Sequence, residues 1–457
     1  LHGVFVYSGT LARCALSGGA PREVLEGVYE ADWTPDGTDL AVSRLTAKGF
    51  ALELPAGKTL FSTSGWIGQP RVSPAGDRVA FIHHPLSGDD RGDVAVVDRG
   101  GKLTVLSRGW SSVQGLAWTP DGREIWFSAT REGVLRGLYG VTTAGKERAI
   151  AGMAASITLQ DISPSGRVLL TRAELPVSLM ALAPGEKQER DLEWLDASLV
   201  HDISPDGRVI VFSEAGTGAG PNGSVFLRRV DEPSAVRLGE GWAEGLSPDG
   251  KSVLAILPVP PTRLVVYPVG PGATRSVEHP GIAEERWAAW LPDGKRVVFA
   301  GIESGHAIRI WLQDLSGGMP RPLTPEGIQM REIESPDATI SPDGRWVGVR
   351  SPAGVFTLYP VEGGEARPVP QLEAAEAPVG WARDASAIFV SPSNEIPARV
   401  TRISLSTGER TPFKDLVPND PAGVLTVEPV VLAPDGIAYA YSYPRYLCQL
   451  FLAEGLR

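Results

Sequence analysis

A Ser/Thr-Pro-Asp-Gly turn recurs along the chain at intervals that a single-copy domain would not produce. Its clearest copies are Trp33-Thr34-Pro35-Asp36-Gly37, Trp118-Thr119-Pro120-Asp121-Gly122, Ile203-Ser204-Pro205-Asp206-Gly207 and Ile340-Ser341-Pro342-Asp343-Gly344. Shorter copies read Ser247-Pro248-Asp249-Gly250, Leu291-Pro292-Asp293-Gly294 and Ala433-Pro434-Asp435-Gly436, and degenerate ones lie at Ser73 to Gly76, Ser163 to Gly166 and Trp381 to Ala385. Counted at the proline, or at Arg383 in the ninth copy, the intervals are 39, 46, 44, 41, 43, 44, 50, 41 and 51 residues. Proline presets φ at the first corner, Asp bonds back to the backbone and Gly takes the positive φ, so each copy reads as a tight β-turn. A short apolar strand follows, as in Val79 to Ile82, Val209 to Phe212 and Val297 to Ala300. A second hairpin then ends in a basic and an aliphatic residue, as at Arg22 to Leu25 and Arg321 to Leu323. Two hairpins per period give four strands.

A four-stranded sheet cannot bury both faces alone, and radial stacking of such sheets is the stable solution. The fold class is therefore all-β, a β-propeller of about ten four-stranded blade units. The 53 glycines and 39 prolines suit many short strands joined by turns. Ten exceeds the usual 4 to 8 blades of one ring, so two tandem rings are expected: residues 1–185 as a partial N-terminal propeller lacking its first blades, and 186–457 as a six-bladed ring. The C-terminus ends on a third strand, Gln449 to Leu452, and Gln188 to Leu192 is expected to pair with it and close an open sheet edge. Trp33, Trp118, Trp290 and Trp381 are expected to fill space between blades.

The formal net charge of −11 is spread along the chain, which argues against nucleic acid and anionic membrane surfaces as partners. Cys14 and Cys448 make no metal-ligand spacing and read as small buried hydrophobes. No apolar run reaches the roughly 18 to 20 residues of a membrane span. The chain opens at Leu1 inside the strand-like run Gly3 to Tyr7, as expected of a fragment or a processed product.

Little points to catalysis, a metal or a cofactor. The loop Gly216 to Gly223 lacks the Lys-Ser/Thr of a phosphate cradle. Asp89-Asp90-Arg91-Gly92-Asp93 lacks the spacing of a Ca²⁺ loop. His2, His83, His84, His201, His279 and His306 show no ligand pattern, and there is no G-x-S-x-G elbow. Segments entering the first strand of each blade should instead reach the central channel. The ligand-binding candidates there, expected on channel-mouth loops, are Trp66, Gln69, Trp110, Gln114, Gln160, Trp194, His201, Trp242 and Trp287.

The repeat resembles that of TolB-type, WD40-like (PD40) propellers over residues 31 to 443. A narrower set of segments, Gly18 to Leu25, Gly88 to Asp98, and Tyr441 to Tyr443 through Leu452 to Leu456, resembles the C-terminal propeller region of bacterial membrane-anchored serine/threonine protein kinases. That resemblance implies an extracytoplasmic sensor whose kinase domain and membrane span lie upstream. No kinase motif occurs in this chain, so no kinase residue is carried over. Alternatives of other classes are a free-standing periplasmic TolB-like scaffold and the accessory propeller of a prolyl-oligopeptidase-type peptidase. The expected ligand is a protein or small molecule at the propeller face.

Overall fold

The computed structural model describes residues 9–456 apart from 16, 47–48, 87–88, 133–134, 152–155, 260, 331–337, 394 and 435. The run Gly3 to Tyr7 thus lies outside the described residues. Those described form antiparallel sheets, with one short 3-10 turn at Thr217–Ala219. The chain is a β-propeller protein.

The repeated turn works as its chemistry requires. Ser204 Oγ donates to Asp206 Oδ1 at 2.5 Å, the same oxygen takes the Arg208 N–H at 3.1 Å, and Gly207 N bonds back to Ser204 O at 2.7 Å. Gly207 has φ +69°. Thr34 to Gly37, Thr119 to Gly122, Ser247 to Gly250 and Ser341 to Gly344 repeat the arrangement. In the ninth copy Ala385 takes the glycine place at φ +57°.

Contact patterns divide the chain into two compact units, Leu1–Glu174 with Cys448–Arg457, and Leu175–Leu447. These bounds differ from the expected 1–185 and 186–457 because the chain passes between the units twice. In the first unit, blade 1 spans residues 9–63, blade 2 residues 66–110 and blade 3 residues 112–151. Blade 4 joins Ile157–Ile162 and Val168–Glu174 to Leu447–Ala453. Each packs on the next through a continuous apolar layer, with Trp66 between blades 1 and 2, Trp110 and Trp118 between 2 and 3, and Leu138 and Leu159 between 3 and 4.

The described residues of the second unit form six four-stranded sheets. Blades 5 to 9 span residues 198–240, 242–276, 282–322, 338–368 and 376–416. Blade 10 is assembled from two distant segments, in the order Arg190–Asp191, Val177–Leu182, Tyr439–Pro444, Val430–Leu432. Its layers pack on blade 5 through Leu179, Phe212 and Ala440, and on blade 9 through Val400, Leu416 and Tyr441. The layers between blades 5 and 9 are likewise continuous, so each sheet packs on the next and the last on the first.

This corrects the expected closure. Arg190–Asp191 pairs with Met180 and Ala181, not with Gln449 to Leu452, and it is Val177–Leu182 that pairs with Tyr439–Pro444. Leu447–Ala453 serves as the third strand of blade 4 instead. Both segments found third-strand places, but in different sheets, and strand chemistry alone does not distinguish the two.

Trp118 and Trp381 are buried between blades, and Trp290 is half-buried. Each sends its indole N–H to the preceding blade: Trp118 to Arg71 O at 3.0 Å, Trp381 to Thr339 Oγ1 at 2.9 Å, Trp290 to Gly245 O at 3.3 Å. Trp33 departs from expectation and is 51% exposed. It lies in blade 1, and among the described residues of its unit no sheet precedes that blade. Cys14 and Cys448 are exposed free thiols, not buried ones. Cys14 follows the end of a strand and Cys448 sits on a sheet edge, so neither reaches an apolar layer.

Candidate functional site: the channel wall

Among the described residues eight of the ten inner strands share a feature that composition does not announce. Their pairing with the second strand slips by a residue at Tyr29, Gly115 and Gln160 in the first unit, and at His201, Glu244, Arg286 and Val379 in the second; in blade 2 it skips Gln69 and Pro70. A bulge frees backbone groups from the ladder and re-aims a side chain. N–H groups close to these bulges are taken up by side chains of the preceding blade. Asp202 Oδ2 accepts Leu246 N at 2.8 Å, Glu244 Oε2 accepts Ala288 N at 2.9 Å, and Ser213 Oγ accepts Ala243 N at 2.8 Å. Ser442 Oγ accepts Val200 N and donates to Ser198 O, both at 2.9 Å, which carries the belt across the closing seam.

His201, Asp202 and Glu244 sit deep in the second unit yet keep part of their surface open, as befits a channel wall rather than a packed core. Burial lowers His201 to about 4, and its Nε2 has no hydrogen-bond partner among the described residues, so at neutral pH it is an uncharged imidazole with one nitrogen able to donate and the other to accept. Burial raises Asp202 to about 6 and Glu244 to about 8, against the N–H bonds that favour ionisation. At neutral pH Glu244 is therefore mostly an uncharged acid able to donate its proton in a hydrogen bond. Adjacent blades thus carry an uncharged imidazole and an uncharged carboxyl. The corresponding bulged position of blade 9 is the aliphatic Val379.

The first unit has its own polar centre. Gln69, a non-glycine at φ +47°, takes Glu30 on its backbone N–H and accepts Gly115 N on Oε1 at 2.6 Å, joining blades 1, 2 and 3. Gly115 must be glycine, since an added Cβ would run into the backbone of Leu159. Asp32 Oδ2 accepts Val72 N at 2.8 Å, and Arg71 donates to Gln160 O at 3.3 Å. Burial raises Glu30 and Asp32, while Arg71 lowers both and Asp161 further raises Asp32.

Gln69, Gln114, Gln160 and His201 lie on inner strands, not on channel-mouth loops as expected, and three of the four stand in the bulges themselves. Gln160 Nε2 donates to Thr171 at 2.9 Å. Trp66, Trp110 and Trp287 are interblade core instead: Trp66 stacks on His84 at 3.6 Å and donates to Asp89 O at 2.9 Å, Trp110 donates to Ser107 at 2.7 Å, and Trp287 packs with Val298 and Val349. A channel loop has too little neighbouring apolar surface to be the better place for a large ring. Trp242 is half-buried at the start of its inner strand, and Trp194 is exposed outside the strands, beside Arg228.

Glu30, Asp32, Asp202 and Glu244 were missed. The signal was available: Asp32 and Asp202 each stand two residues before the Thr or Ser of a turn, a place visible once the repeats are aligned on it. The acidic run is an ion-pair corner in which Asp89 meets Arg91 at 2.5 Å and Asp90 accepts Ser112 Oγ at 2.5 Å.

Neither a protein-family profile nor a curated protein matches the sequence. Among solved structures, a TolB-type protein described as putative, from Agrobacterium tumefaciens, is 19% identical over 60% of this chain and 99% of its own, with a TM-score of 0.43. TolB from Acinetobacter baumannii is 14% identical over 90% and 81%, with a TM-score of 0.29. A chain of a nidogen/laminin complex is 11% identical over 54% and 94%, with a TM-score of 0.39.

Proposed function

We propose that the chain is a non-catalytic binding propeller whose ligand enters the channel of the second unit, and that it forms the extracytoplasmic sensor region of a bacterial serine/threonine protein kinase. The observation that carries the binding site is the contrast between the two ends of the inner strands. The Pro-Asp-Gly turns repeat one backbone-serving geometry, whereas the bulged positions change from His201 to Glu244 to Arg286 to Val379. Variation on a constant scaffold is where selectivity resides. An uncharged imidazole and an uncharged carboxyl on adjacent blades suit a neutral polar group such as an amide, which both donates and accepts.

The non-catalytic reading is supported by the use of the channel carboxylates, each of which gives one oxygen to a backbone N–H of the next blade. The kinase attachment and the extracytoplasmic location rest on the resemblance of Gly18 to Leu25, Gly88 to Asp98 and the C-terminal segment.

Thermal-shift screening of the whole chain against small amides, organic acids and sugars tests the site. A stabilising compound should lose its effect in His201→Ala and Glu244→Gln and keep it in Asp206→Ala. Shifts that survive both channel substitutions would overturn the assignment. An open reading frame joining this chain to a kinase domain and a membrane span supports the sensor role; a hydrolase domain in that place defeats it.

A further inference from the structure

Blade 4 ends in an edge unlike the others. The outer strand of each of blades 2, 3 and 5 to 10 contains an arginine, from Arg108 in blade 2 to Arg410 in blade 9, and in blade 1 the last strand, Thr59–Thr63, directly follows Lys58. Charge on an edge strand discourages further pairing. Leu447–Ala453 carries no charged residue and no proline. Leu450 is 66%, Phe451 45% and Leu452 56% exposed, and because successive side chains alternate, both faces of the strand are apolar and open. Among the described residues blade 4 is also three-stranded, where blade 3 has four strands. Its third strand has the composition of a strand made to be covered, yet it forms the edge of the sheet.

We propose that this edge is a docking site for an extended protein segment that adds antiparallel to Leu447–Ala453 as a fourth strand, of the Arg-x-aliphatic type that ends the other blades. The repeat defines the occupant. Outer strands of the second unit open with Arg190-Asp191-Leu192, Arg321-Pro322-Leu323 or Arg367-Pro368-Val369, in which the aliphatic residue is buried or half-buried and the arginine stays toward water. In such strand addition the main chain supplies the hydrogen bonds, and the alternating side chains supply the selectivity. The added aliphatic residue would cover the face that holds Leu450 and Leu452, while the arginine restores the charged edge found elsewhere.

The test uses the whole chain and a fluorescein-labelled peptide of residues 234–240, Ser-Ala-Val-Arg-Leu-Gly-Glu, which is an outer strand of blade 5. Anisotropy should show saturable binding. The double variant Leu450→Lys/Leu452→Lys, which alters exposed side chains, should keep the melting temperature and bind at least tenfold more weakly. A peptide carrying Arg237→Pro and Gly239→Pro, which removes two N–H donors, should bind as weakly. No binding, or equal binding by the double variant, overturns the proposal. So does light scattering that shows the edge already paired with a second copy, as a dimer that the double variant abolishes.

Discussion

Glu189 accepts the hydroxyl of Tyr439 at 2.7 Å across 250 residues of chain, and its other oxygen accepts Tyr441 at 2.8 Å. Burial first and the nearby carboxylate second push both phenols well above the ordinary tyrosine range, so neither ionises near neutral pH. This clasp lies on the sheet that closes the second unit. Glu189→Ala should lower the stability of that unit by about 1–3 kcal/mol, since the hydroxyls of two buried tyrosines lose their acceptor. Urea unfolding followed by tyrosine fluorescence measures it, and a loss below about 0.5 kcal/mol would show that the clasp contributes nothing to closure.

The channel groups predict opposite pH dependences. Glu244, raised from 4.5 to about 8, keeps its proton in the fold after the unfolded chain has lost it, so its contribution falls as pH rises from about 4.5 to 8. Glu244→Gln keeps an acceptor for Ala288 N without that penalty. The melting temperature of the variant minus that of the wild type should therefore grow between pH 5 and pH 9. A flat difference over that range refutes the buried-acid description.

His201, lowered from 6.5 to about 4, contributes in the other sense: its stability is present above 6.5 and is lost as pH falls toward 4. Asp202, raised from 3.8 to about 6, opposes it over much of that window, since its contribution falls as pH rises. His201→Gln should flatten the acid limb of the stability curve below pH 6.5 and leave the limb above pH 7 unchanged. An identical acid limb in variant and wild type counts against a buried neutral imidazole.

Ala385 occupies a left-handed turn position that glycine fills in most other copies. An L-residue there costs about 1–2 kcal/mol relative to glycine, partly offset by the greater freedom of glycine in the unfolded chain. Ala385→Gly should stabilise the second unit by up to about 1 kcal/mol in chemical denaturation. A destabilised variant would show the strain to be absent.

Trp118 and Trp33 stand at the same place in successive full copies of the repeat but in different surroundings. Trp118→Ala should cost about 3–5 kcal/mol, as large buried aromatics do. Trp33→Ala should stay within about 1 kcal/mol, since half of its surface already meets water. Equal losses at the two sites would mean that Trp33 is covered in solution.

The sequence by itself determined the blade. Ser204-Pro205-Asp206-Gly207 and its copies act within five residues, through bonds that any surrounding fold would permit, so turn, strand order within a hairpin and period were all legible. The indole layer was partly legible, because Trp118 and Trp381 need only a neighbouring blade. Tertiary structure alone decided which distant strands share a sheet. Val177–Leu182 and Leu447–Ala453 are both short apolar strands without charge, and each could have completed either blade 4 or blade 10 on local grounds. Tertiary structure also decided the channel. The bulges at His201 and Glu244 arise where the inner strand pairs with the second strand of its blade, and the side-chain acceptors for nearby N–H groups come from a blade some 40 residues away. Local chemistry reaches as far as the turn; beyond it, partners are chosen by which apolar faces and freed backbone groups the stacked sheets bring together.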